Sequence, residues 1–540
     1  MANAFVAEGV ERVFALMGDG NMHWVAELAK IVPVVHARHE AGAVAMADGY
    51  ARVNDQIGVC TVTCGPGVTN TLTPLRAAVI NRTPMVVFAG DTPSDEEGHL
   101  QEFDTEAFAT VVGAHHLRLE DAHAAADLVA EAFTVARRDR IPVILSVPMD
   151  VQEVLGSPEV ARSVVADIAA PVELDPASAA ELLATLEGRR CVVLVGRGAL
   201  AADALSEVEE LVDLLDAHVG TTLKGLGALS NHPRSIGIIG GFSNRRAREV
   251  IAQAEVVLVV GASLSRHTTD EGTLFGSAAL VRIDVRPASA DAGVWLHVQA
   301  DAKAAVRRLV ADLRSRRLTS PRRGSVDWAA GMVADPESIG STEAAAPILD
   351  PVQVVRAISN EVPAAAQVVV GVGHFWNYFI ENYTPKSAGR THFHYQFGAI
   401  AQGFPSALGV AAGRPAGGTL VVEGDGSLLM SLPELETWAR YQLPLLAVIM
   451  NDGAYGAEVH KLAAHRQDPR HAVFGYSPFA DLATALGIEA HTPSTVEALA
   501  GHVRDYFARQ RPLLIDARIP PYAMSRMYQR TVITAEAGHR

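Results

Sequence analysis

Two aspartates in the last third of the chain each follow a run of apolar residues. Asp425 lies between two glycines after an apolar run that ends near residue 423, and Asp452 follows the apolar run 445–450. Residues 434–442 between them carry a helical apolar pattern, so the stretch predicts a strand–helix–strand unit. Because such a unit makes a parallel crossover, we expect both aspartates at the carboxyl edge of one sheet.

Convergent carboxylates beside glycines suit the binding of a diphosphate through Mg²⁺. Glycines let a diphosphate approach the backbone, and Mg²⁺ prefers oxygen ligands with positions left open for phosphate oxygens. The Gly-Asp-Gly sequence at 424–426 and the Asn-Asp-Gly sequence at 451–453 are each, taken alone, equally well explained as an ordinary turn. Together, with Asp425 and Asp452 separated by 452 − 425 = 27 positions, they predict a metal–diphosphate site.

The composition narrows the class of protein. The chain has 540 residues, of which 49% are apolar and 20% charged, so several large cores can form. A formal charge of −16 argues against nucleic acid and anionic membranes as partners. Three cysteines without a CxxC pair predict neither a disulfide framework nor a zinc site. We find no signal peptide and no membrane span, and we expect a cytoplasmic protein.

Short apolar runs alternate with helical patterns along the whole chain. Runs at 32–36, 58–62, 85–89 and 143–147 open the series; those at 191–195, 256–260 and 280–285 continue it, and 368–370 begins the last group. This alternation predicts an α/β protein with three doubly wound parallel-sheet domains. The predicted boundaries are 1–165, 171–315 and 345–530, with surface linkers at 314–325 and 334–346.

Four motifs make the chain resemble a known superfamily. They are HEAGA at 39–43 with ADGYAR at 47–52, CGPGVTN at 64–70, FGAIAQG at 397–403, and the Gly-Asp-Gly and Asn-Asp sequences described above. Together they resemble the thiamine-diphosphate (ThDP) enzymes of the 2-oxoacid decarboxylase and acetolactate synthase superfamily, over nearly the full length. The resemblance implies a pyrimidine-binding domain, a middle domain and a diphosphate-binding domain, in that order.

The resemblance also implies the cofactor chemistry. Cleaving a 2-oxoacid beside its carbonyl needs an electron sink, which no side chain supplies and a thiazolium ylide does. Glu40 matches the carboxylate that contacts the aminopyrimidine ring, although an exposed acid at a helix start is the ordinary alternative. Ile400 matches the apolar residue that wedges between the two cofactor rings, and an ordinary core isoleucine is its alternative.

The remaining predicted cofactor residues lie in three segments. The metal ligands would be Asp425, Asp452 and the carbonyl of Ala454, with Asp452 standing where many relatives carry Asn. Asp is a harder, charged ligand, so metal binding should survive the change. The other predicted cofactor contacts are Gly373, His374, Phe375, Gly398, Gly424, Gly426, Ser427, Tyr455 and Gly456.

Five residues bear on which reaction the enzyme performs. Glu458 lies where simple decarboxylases carry an acid, whereas acetolactate synthases carry an apolar residue; an exposed helix glutamate is the alternative. Gln101 matches the glutamine-bearing loop of the acetolactate synthase group. His374 is a candidate for proton transfer, as are His99 and His460, each equally a hydrogen-bonded or surface histidine.

The middle domain resembles a flavin-binding one only in part. Residues 221–225 and 240–242 fall where FAD-contacting segments lie in acetolactate synthases, but residues 261–266 match the pattern weakly. Gly-Arg-Gly at 196–198 is better explained as a tight turn than as a nucleotide loop. FAD is therefore a possible cofactor. Gly18-Asp19-Gly20 is also predicted as a turn, because position 46, 27 residues later, is methionine.

These features predict decarboxylation of a 2-oxoacid such as pyruvate, followed by joining of the enamine to a carbonyl acceptor. The alternatives are simple decarboxylation to an aldehyde and a catalytically silent homologue. Glu40 and Asp425 fall on different domains, so the site must form at a domain interface. In this superfamily that interface joins two subunits, and the resemblance implies a homodimer or a dimer of dimers.

Overall fold

The computed structural model describes residues 1–54, 56–154, 172–288, 293–316, 348–414 and 416–530. In these ranges the chain forms three six-stranded sheets with surrounding helices, which confirms the predicted fold class. One compact unit holds the first and third sheets, and the other holds the second sheet with residues 380–391 and 525–530. The predicted linker 334–346 and most of the linker 314–325 lie outside the described residues. So do the domain limits at 165, 171 and 345.

The first sheet has the strand order β2-β1-β3-β4-β6-β5, with every neighbouring pair parallel. Its strands are β1 (Val13–Ala15), β2 (Val34–His36), β3 (Gly58–Val62), β4 (Met85–Asp91), β5 (His115–Arg118) and β6 (Pro142–Pro148). Its helices are α1 (Ala2–Ala7), α2 (Met22–Leu28), α3 (Glu40–Val53), α4 (Pro66–Thr69), α5 (Leu72–Asn81), α6 (Thr105–Val112), α7 (Ala125–Asp139) and α8 (Met149–Gln152), with a 3₁₀ turn at Ala122–Ala124.

The second sheet has the order β12-β11-β10-β7-β8-β9. Its strands are β7 (Cys191–Val195), β8 (His218–Thr221), β9 (Ser235–Ile238), β10 (Val256–Val260), β11 (Ala279–Asp284) and β12 (Val294–Gln299). Its helices are α9 (Pro176–Leu186), α10 (Arg197–Ala201), α11 (Leu205–Leu214), α12 (Arg245–Ile251), α13 (Arg266–Thr269) and α14 (Ala302–Ser315), with a 3₁₀ turn at Leu223–Gly225. Strands β7 and β10 are buried at every residue because helices cover both faces of a parallel sheet.

The third sheet has the order β14-β13-β15-β16-β18-β17. Its strands are β13 (Gln367–Val370), β14 (Thr391–Phe393), β15 (Thr419–Gly424), β16 (Leu445–Asn451), β17 (Glu489–His491) and β18 (Leu513–Arg518). The helices from here to residue 530 are α15 (Pro351–Glu361), α16 (Phe375–Asn382), α17 (Gly403–Gly413), α18 (Asp425–Met430), α19 (Glu434–Tyr441), α20 (Gly456–Ala464), α21 (Phe479–Ala485), α22 (Val496–Arg509) and α23 (Arg526–Tyr528), with 3₁₀ turns at Gln396–Gly398 and Pro469–Ala472.

The strand order in each sheet reverses at one point, and open α/β sheets bind ligands at such switch points. In the third sheet the reversal lies between β13 and β15, since β14 lies on one side of β13 and β15 on the other. In the second sheet it lies between β7 and β10. Strands β15 and β16 are parallel neighbours, as the spacing of the two aspartates predicts.

The Gly-Asp-Gly sequence at 424–426 does not form the ordinary turn that is its alternative interpretation. Helix α18 begins at Asp425, directly after β15. The strand therefore passes into a helix without a loop, and Asp425 is the first residue of that helix. This junction fixes the aspartate more firmly than a turn would, because its backbone belongs to a regular element.

The first and third sheets share a continuous hydrophobic core. Helices α3 and α17 approach closely within it, because a Cβ at Gly49 would overlap the carbonyl of Ser406 and one at Gly409 would overlap that of Met46. Glycine permits this backbone-to-backbone contact. No helix in the described ranges combines the length and apolarity needed to cross a bilayer.

Candidate active site

Asp425 and Asp452 converge at the carboxyl edge of the third sheet, as predicted. Asp425 is 2% exposed and Asp452 is 8% exposed. The Asp425 Oδ2 atom accepts a hydrogen bond from the amide of Gly453 at 2.8 Å, so it reaches the segment that carries Asp452. The Asp452 Oδ1 atom accepts from the amide of Ala454 at 3.0 Å. Two buried carboxyl groups on neighbouring strands thus form one cluster, the aspartate pair.

The electrostatics of the aspartate pair favour a cation. Burial raises the pKa of both carboxyl groups, and the charge of Asp425 raises the pKa of Asp452 further. A divalent cation between two such carboxylates would offset their repulsion. The described residues contain no cluster of three or more His, Cys, Asp or Glu side chains suited to a metal. Further ligands would have to be backbone carbonyls, water or oxygens of a bound molecule, as suits Mg²⁺.

Glycines allow close packing around the pair. A Cβ at Gly426 would come within 2.7 Å of the Tyr455 ring, and one at Gly456 within 2.5 Å of Asp452 Oδ2. At Gly373 and Gly424 a Cβ would come within 2.9 Å and 3.0 Å of the Phe375 ring, respectively. The predicted diphosphate segments after β13, β15 and β16 therefore meet at the switch point between β13 and β15. Side chains of the chain itself fill the space beside these glycines, so only glycine lets the segments pack this closely around the pair.

His374 lies beside this cradle and is buried. Its ring packs edge-on against Tyr378 at 5.2 Å and lies 4.5 Å from the ring of His460, centroid to centroid. Burial, and then the neighbouring His460, lower the pKa of His374 to about 3. Burial also lowers the pKa of His460, whose Nε2 lies 3.0 Å from the carbonyl of Ala523. Both imidazoles are therefore neutral near pH 7.

Ile400 lies in a segment with an unusual backbone. Phe397, Gly398 and Ala401 have φ values of 64°, 65° and 72°, the left-handed region that favours glycine. Ile400 itself is half-buried and is not among the buried core residues, unlike an ordinary core isoleucine. The amide of Ala401 donates to Ser427 Oγ at 2.7 Å, so the segment is tied to α18.

Glu423, the last residue before the Gly-Asp-Gly sequence, is completely buried. Its Oε1 accepts from the amide of Gly424 at 3.0 Å and its Oε2 from the amide of Phe404 at 3.1 Å. Burial raises the pKa of this carboxyl group to about 7. This carboxyl group thus lies between the β15–α18 junction and the first turn of α17.

Glu40 is the first residue of α3 and its side chain is 13% exposed. Its Oε2 accepts from Asn70 Nδ2 at 3.0 Å and lies 3.8 Å from His39 Nδ1. In the described part of the chain these are its polar contacts, and both come from the first sheet. Glu40 is therefore neither a fully solvated acid nor a member of the aspartate-pair cluster within one chain.

The predicted Gln101 lies in the same region as Glu40. Its Oε1 accepts from Cys64 Sγ at 3.1 Å, and its carbonyl lies close to Gly65, in the loop that leads to Asn70. His99 Nδ1 accepts from the amide of Gln101 at 3.1 Å. The first sheet therefore gathers Glu40, Asn70 and Gln101 around one loop.

The third sheet also reaches the backbone just before Glu40. Glu434 is buried, and its Oε1 accepts from the amides of Arg38 and His39, both at 3.1 Å. Its Oε2 accepts from the hydroxyl of Thr437 at 2.6 Å. This carboxyl group therefore fixes the link between β2 and α3.

Two other predicted groups fall elsewhere. Glu458 is exposed, in the first turn of α20. The adjacent histidines His115 and His116, which the sequence does not predict as site residues, lie on the edge strand β5, where His116 Nε2 is 2.9 Å from Ser146 Oγ. The turn at 18–20 lies against Thr63, whose hydroxyl accepts from the amide of Gly20 at 3.0 Å.

The Gly-Arg-Gly sequence lies where β7 passes into α10, which begins at Arg197, so it forms a strand-to-helix junction rather than the predicted tight turn. The amide of Gly198 donates to the carbonyl of Gly261 at 2.8 Å, and a Cβ at Gly196 would overlap that carbonyl. The two segments at the switch point of the second sheet are thus in direct backbone contact. Nearby, Arg248 donates to the carbonyl of Gly241 at 3.1 Å.

Sequence reasoning missed three groups: Asn70, Glu423 and Glu434. Asn70 ends a motif that was recognised, so its position beside Glu40 was open to prediction. Glu423 carried one signal, a charged residue at the end of the otherwise apolar strand β15. Glu434 carried none, because its partners lie 395 and 396 residues away.

Comparison with known proteins finds similarity along most of the chain. Family models match three segments: the N-terminal TPP binding domain of thiamine pyrophosphate enzymes at residues 1–108, their central domain at 177–309, and their C-terminal TPP binding domain at 371–517. A probable acetolactate synthase large subunit of Methanococcus aeolicus is 26% identical over 96% of this chain and 91% of its own. An acetolactate synthase of Arthrospira platensis is 27% identical over 95% and 92%.

A solved structure shares the fold. It is the thiamine diphosphate-dependent 4-hydroxybenzoylformate decarboxylase of Rhodococcus jostii RHA1, with a TM-score of 0.83, 21% sequence identity, and coverage of 97% of this chain and 99% of its own. The central segment contains the whole second sheet, and the N-terminal and C-terminal segments contain most strands of the first and third sheets. The chain therefore belongs to the thiamine-diphosphate-dependent enzyme superfamily.

Proposed function

We propose that this protein is a ThDP-dependent enzyme that decarboxylates a 2-oxoacid of the pyruvate class and joins the remaining fragment to a carbonyl acceptor. The observation that carries the proposal is the buried aspartate pair at a glycine-lined switch point. The acetolactate synthase relatives favour carboligation as the outcome. When bound, the cofactor supplies the electron sink that decarboxylation needs.

Asp425, Asp452 and the carbonyl of Ala454 would hold Mg²⁺ against the diphosphate. The aspartates carry the charge, and the glycine backbone admits the phosphate oxygens. Ser427, the amides after β13 and the residues around Tyr455 would complete the cradle. The neutral His374 can donate or accept a hydrogen bond there without repelling the metal.

Glu40 would exchange a proton with the aminopyrimidine ring. Both of its polar contacts fall on Oε2, so Oε1 is the atom positioned to hold and move that proton. Asn70 fixes the side-chain orientation because its amide can only donate to the carboxylate. Gln101, on the same loop cluster, would contact the substrate side.

Replacing Glu40 by Gln tests this role. We expect turnover to fall at least about 100-fold, as for loss of a general acid–base group, while cofactor affinity changes little. Glu106→Gln is the matched control, since Glu106 is also a first-turn acid of a helix. Undiminished turnover in Glu40→Gln would contradict the mechanism, as would an equal loss in the control.

Simple decarboxylation to an aldehyde is the second candidate function, because Glu458 lies in the first turn of α20, two residues after Gly456. Product analysis with pyruvate alone, and then with an added aldehyde or second oxoacid, separates the two. Acetaldehyde as sole product under both conditions would reject carboligation. Glu458→Ala should then lower aldehyde release, whereas a carboligase should tolerate it.

A second copy of the chain would complete the site. Exposed apolar side chains lie on α5 and α18 and beside Ile400, and large exposed apolar groups mark association surfaces. They are Leu72, Ile80, Leu429, Met430 and Phe397. We infer a homodimer or dimer of dimers in which one copy's Glu40 faces the other's aspartate pair. Sedimentation analysis tests this, and a fully active monomer would refute it.

FAD and a cytoplasmic location remain predictions. Residues 221–225 and 240–242 are the segments expected to contact FAD. Flavin released on denaturing the purified protein would support its presence. Protein that retains full activity without flavin would limit FAD to no more than a structural role.

A further inference from the structure

The carboxyl group of Glu423 joins three segments that the proposed function requires to act together. It lies at the end of β15, directly before the strand passes into α18 with Asp425. Its Oε2 bonds the amide of Phe404 in the first turn of α17. The amide of Gly403 and the hydroxyl of Ser427 lie close enough to lower the pKa of this group and so favour its charged form. Glu423 therefore contacts both the metal-bearing junction and the element that follows Ile400.

Two glycines make room for this carboxyl group. A Cβ at Gly371 would overlap Oε1, and its three nearest atoms all belong to the Glu423 carboxyl group. A Cβ at Gly403 would overlap Oε2. Gly371 follows β13, so the buried acid fills the crevice where the strand order of the third sheet reverses. Because glycines from two different segments leave space for the carboxyl group, the surrounding structure is fitted to a buried glutamate here.

Helix α17 depends on this outside partner. Its N-cap residue, Gln402, makes no side-chain cap hydrogen bond. The first amides of a helix have no partner within the helix, and a carboxylate near them is stabilising. Glu423 supplies that carboxylate from β15. The segment just before α17 holds three residues with positive φ, so it needs restraint from its surroundings.

We propose that Glu423 is a positioning residue, which caps α17 and thereby holds the Ile400 segment at a fixed place over the Asp425 junction. This rests on the proposed function, because Ile400 and Asp425 matter together only if one cofactor spans them. Glu423 does not touch the reacting atoms. It acts through residues 400–404 on one side and through Ser427 on the other.

A double-mutant cycle on the cofactor-free protein tests the packing directly. Gly371→Ala alone should lower Tm by several degrees, because the new Cβ overlaps the carboxyl group. In a Glu423→Ala background the same change should cost little, because the overlapping atoms are gone. Equal losses of Tm in both backgrounds would overturn the assignment of Gly371 as the space left for Glu423.

Hydrogen exchange of the cofactor-free protein tests the positioning. In Glu423→Gln one acceptor becomes a donor, so an amide at Phe404 or Gly424 loses its partner. We expect faster exchange over residues 396–406 with the rest of α17 protected. Glu8→Gln is the control. It removes a different buried carboxylate, one that is paired with Arg137, and should leave this segment unchanged. Wild-type exchange over 396–406 in Glu423→Gln would overturn the proposal.

Kinetics of the loaded enzyme then separate positioning from folding. We expect kcat to fall about 10- to 100-fold in Glu423→Gln while the Mg²⁺ requirement shifts less than about tenfold, as for other residues that orient ligands. Faster exchange with unchanged kcat would reduce Glu423 to a structural role. If exchange changes as expected but even the wild type turns over no 2-oxoacid, the proposed function fails and the capping role stands.

Discussion

The switch points of the second and third sheets contain similar elements but differ in how their buried charges are compensated. Each has glycine-bearing loops after the two strands that flank the reversal, and each has a buried aspartate nearby. In the second sheet, Gly198 and Gly261 touch backbone to backbone, and Asp284 is bonded to two arginines. In the third sheet, a buried glutamate fills the crevice, and Asp425 faces another aspartate.

This difference indicates which property makes such a crevice a ligand-binding site. Burial alone would raise the pKa of Asp284, but its bonds to Arg286 and Arg282 keep that pKa below its ordinary value. Burial raises the pKa values of Asp425 and Asp452 instead, and no cationic side chain of the described residues bonds to either carboxyl group. Glycine after a strand marks close approach in both sheets. Uncompensated carboxylate charge distinguishes the third.

Removing one carboxylate from each switch point should give opposite results, and this is the largest expected effect. Asp425→Asn should lower Mg²⁺ affinity and activity at least about 100-fold, because a charged ligand is lost. It should leave the metal-free protein as stable or more stable, because a like-charge pair is removed. Titration calorimetry with Mg²⁺ and thermal unfolding measure the two quantities.

Asp284→Asn is the counterpart. It should destabilise the protein by about 2 kcal/mol or more, because two buried or half-buried arginines lose their acceptor. Mg²⁺ affinity should stay at the wild-type value. If Asp284→Asn instead weakened Mg²⁺ binding, or if Asp425→Asn destabilised the metal-free protein, the contrast between the two crevices would be wrong.

Glycine is needed for different reasons in the two crevices. In the second, neighbouring atoms leave no space for a Cβ; in the third, the backbone is strained but the space around it is open. Gly261 has φ 63°, and a Cβ there would overlap the amide of Ala199, so Gly261→Ala should cost about 2 kcal/mol. Gly398 has φ 65° with no atom within 4 Å of a Cβ, so Gly398→Ala should cost about 1 kcal/mol from backbone strain alone. Denaturant unfolding compares the pair, and equal costs would deny the backbone contact at Gly261.

The pH dependence of stability should also differ between the two crevices. A carboxyl group with a raised folded pKa binds its proton more tightly when folded, so its stabilisation is full below the unfolded pKa, about 4, and is lost as pH rises through the folded value. For Glu423 that value is about 7. The metal-free protein should therefore lose on the order of 1 to 2 kcal/mol between about pH 5 and pH 8.

The raised pKa values of the aspartate pair add to that loss, and Mg²⁺ should remove the part that comes from the pair, because it replaces the protons there. Asp284 has the opposite sign: its lowered pKa gives stability that is present at neutral pH and lost as pH falls below its ordinary range. Thermal unfolding at several pH values, with chelator and with Mg²⁺, checks both slopes. A stability that rises from about pH 5 to pH 8 without metal would contradict the raised pKa values.

The parts of this fold that were predictable are those with local signals. The apolar runs at 58–62, 191–195 and 256–260 coincide with β3, β7 and β10 because both faces of these strands are covered. The edge strands β14 and β17 gave no such run, since an edge needs fewer apolar residues. The aspartate pair followed from its spacing along one crossover. The partners of Glu423 did not, because they lie 19 and 52 residues upstream, in the first turn of α17 at 404 and just after β13 at 371.

The smallest expected effect concerns the backbone of the Ile400 segment. Ala401 has φ 72°, a conformation that costs an alanine about 1 kcal/mol and a glycine almost nothing. Ala401→Gly should therefore relieve strain, although the greater freedom of glycine in the unfolded chain returns part of the gain. We expect a net stabilisation of about 0.5 kcal/mol with the Ser427 bond kept, measured by denaturant unfolding. The same change at Ala199 in the second crevice, whose φ is not positive, should destabilise instead. A loss of stability at both positions would show that the third crevice holds its loop without strain.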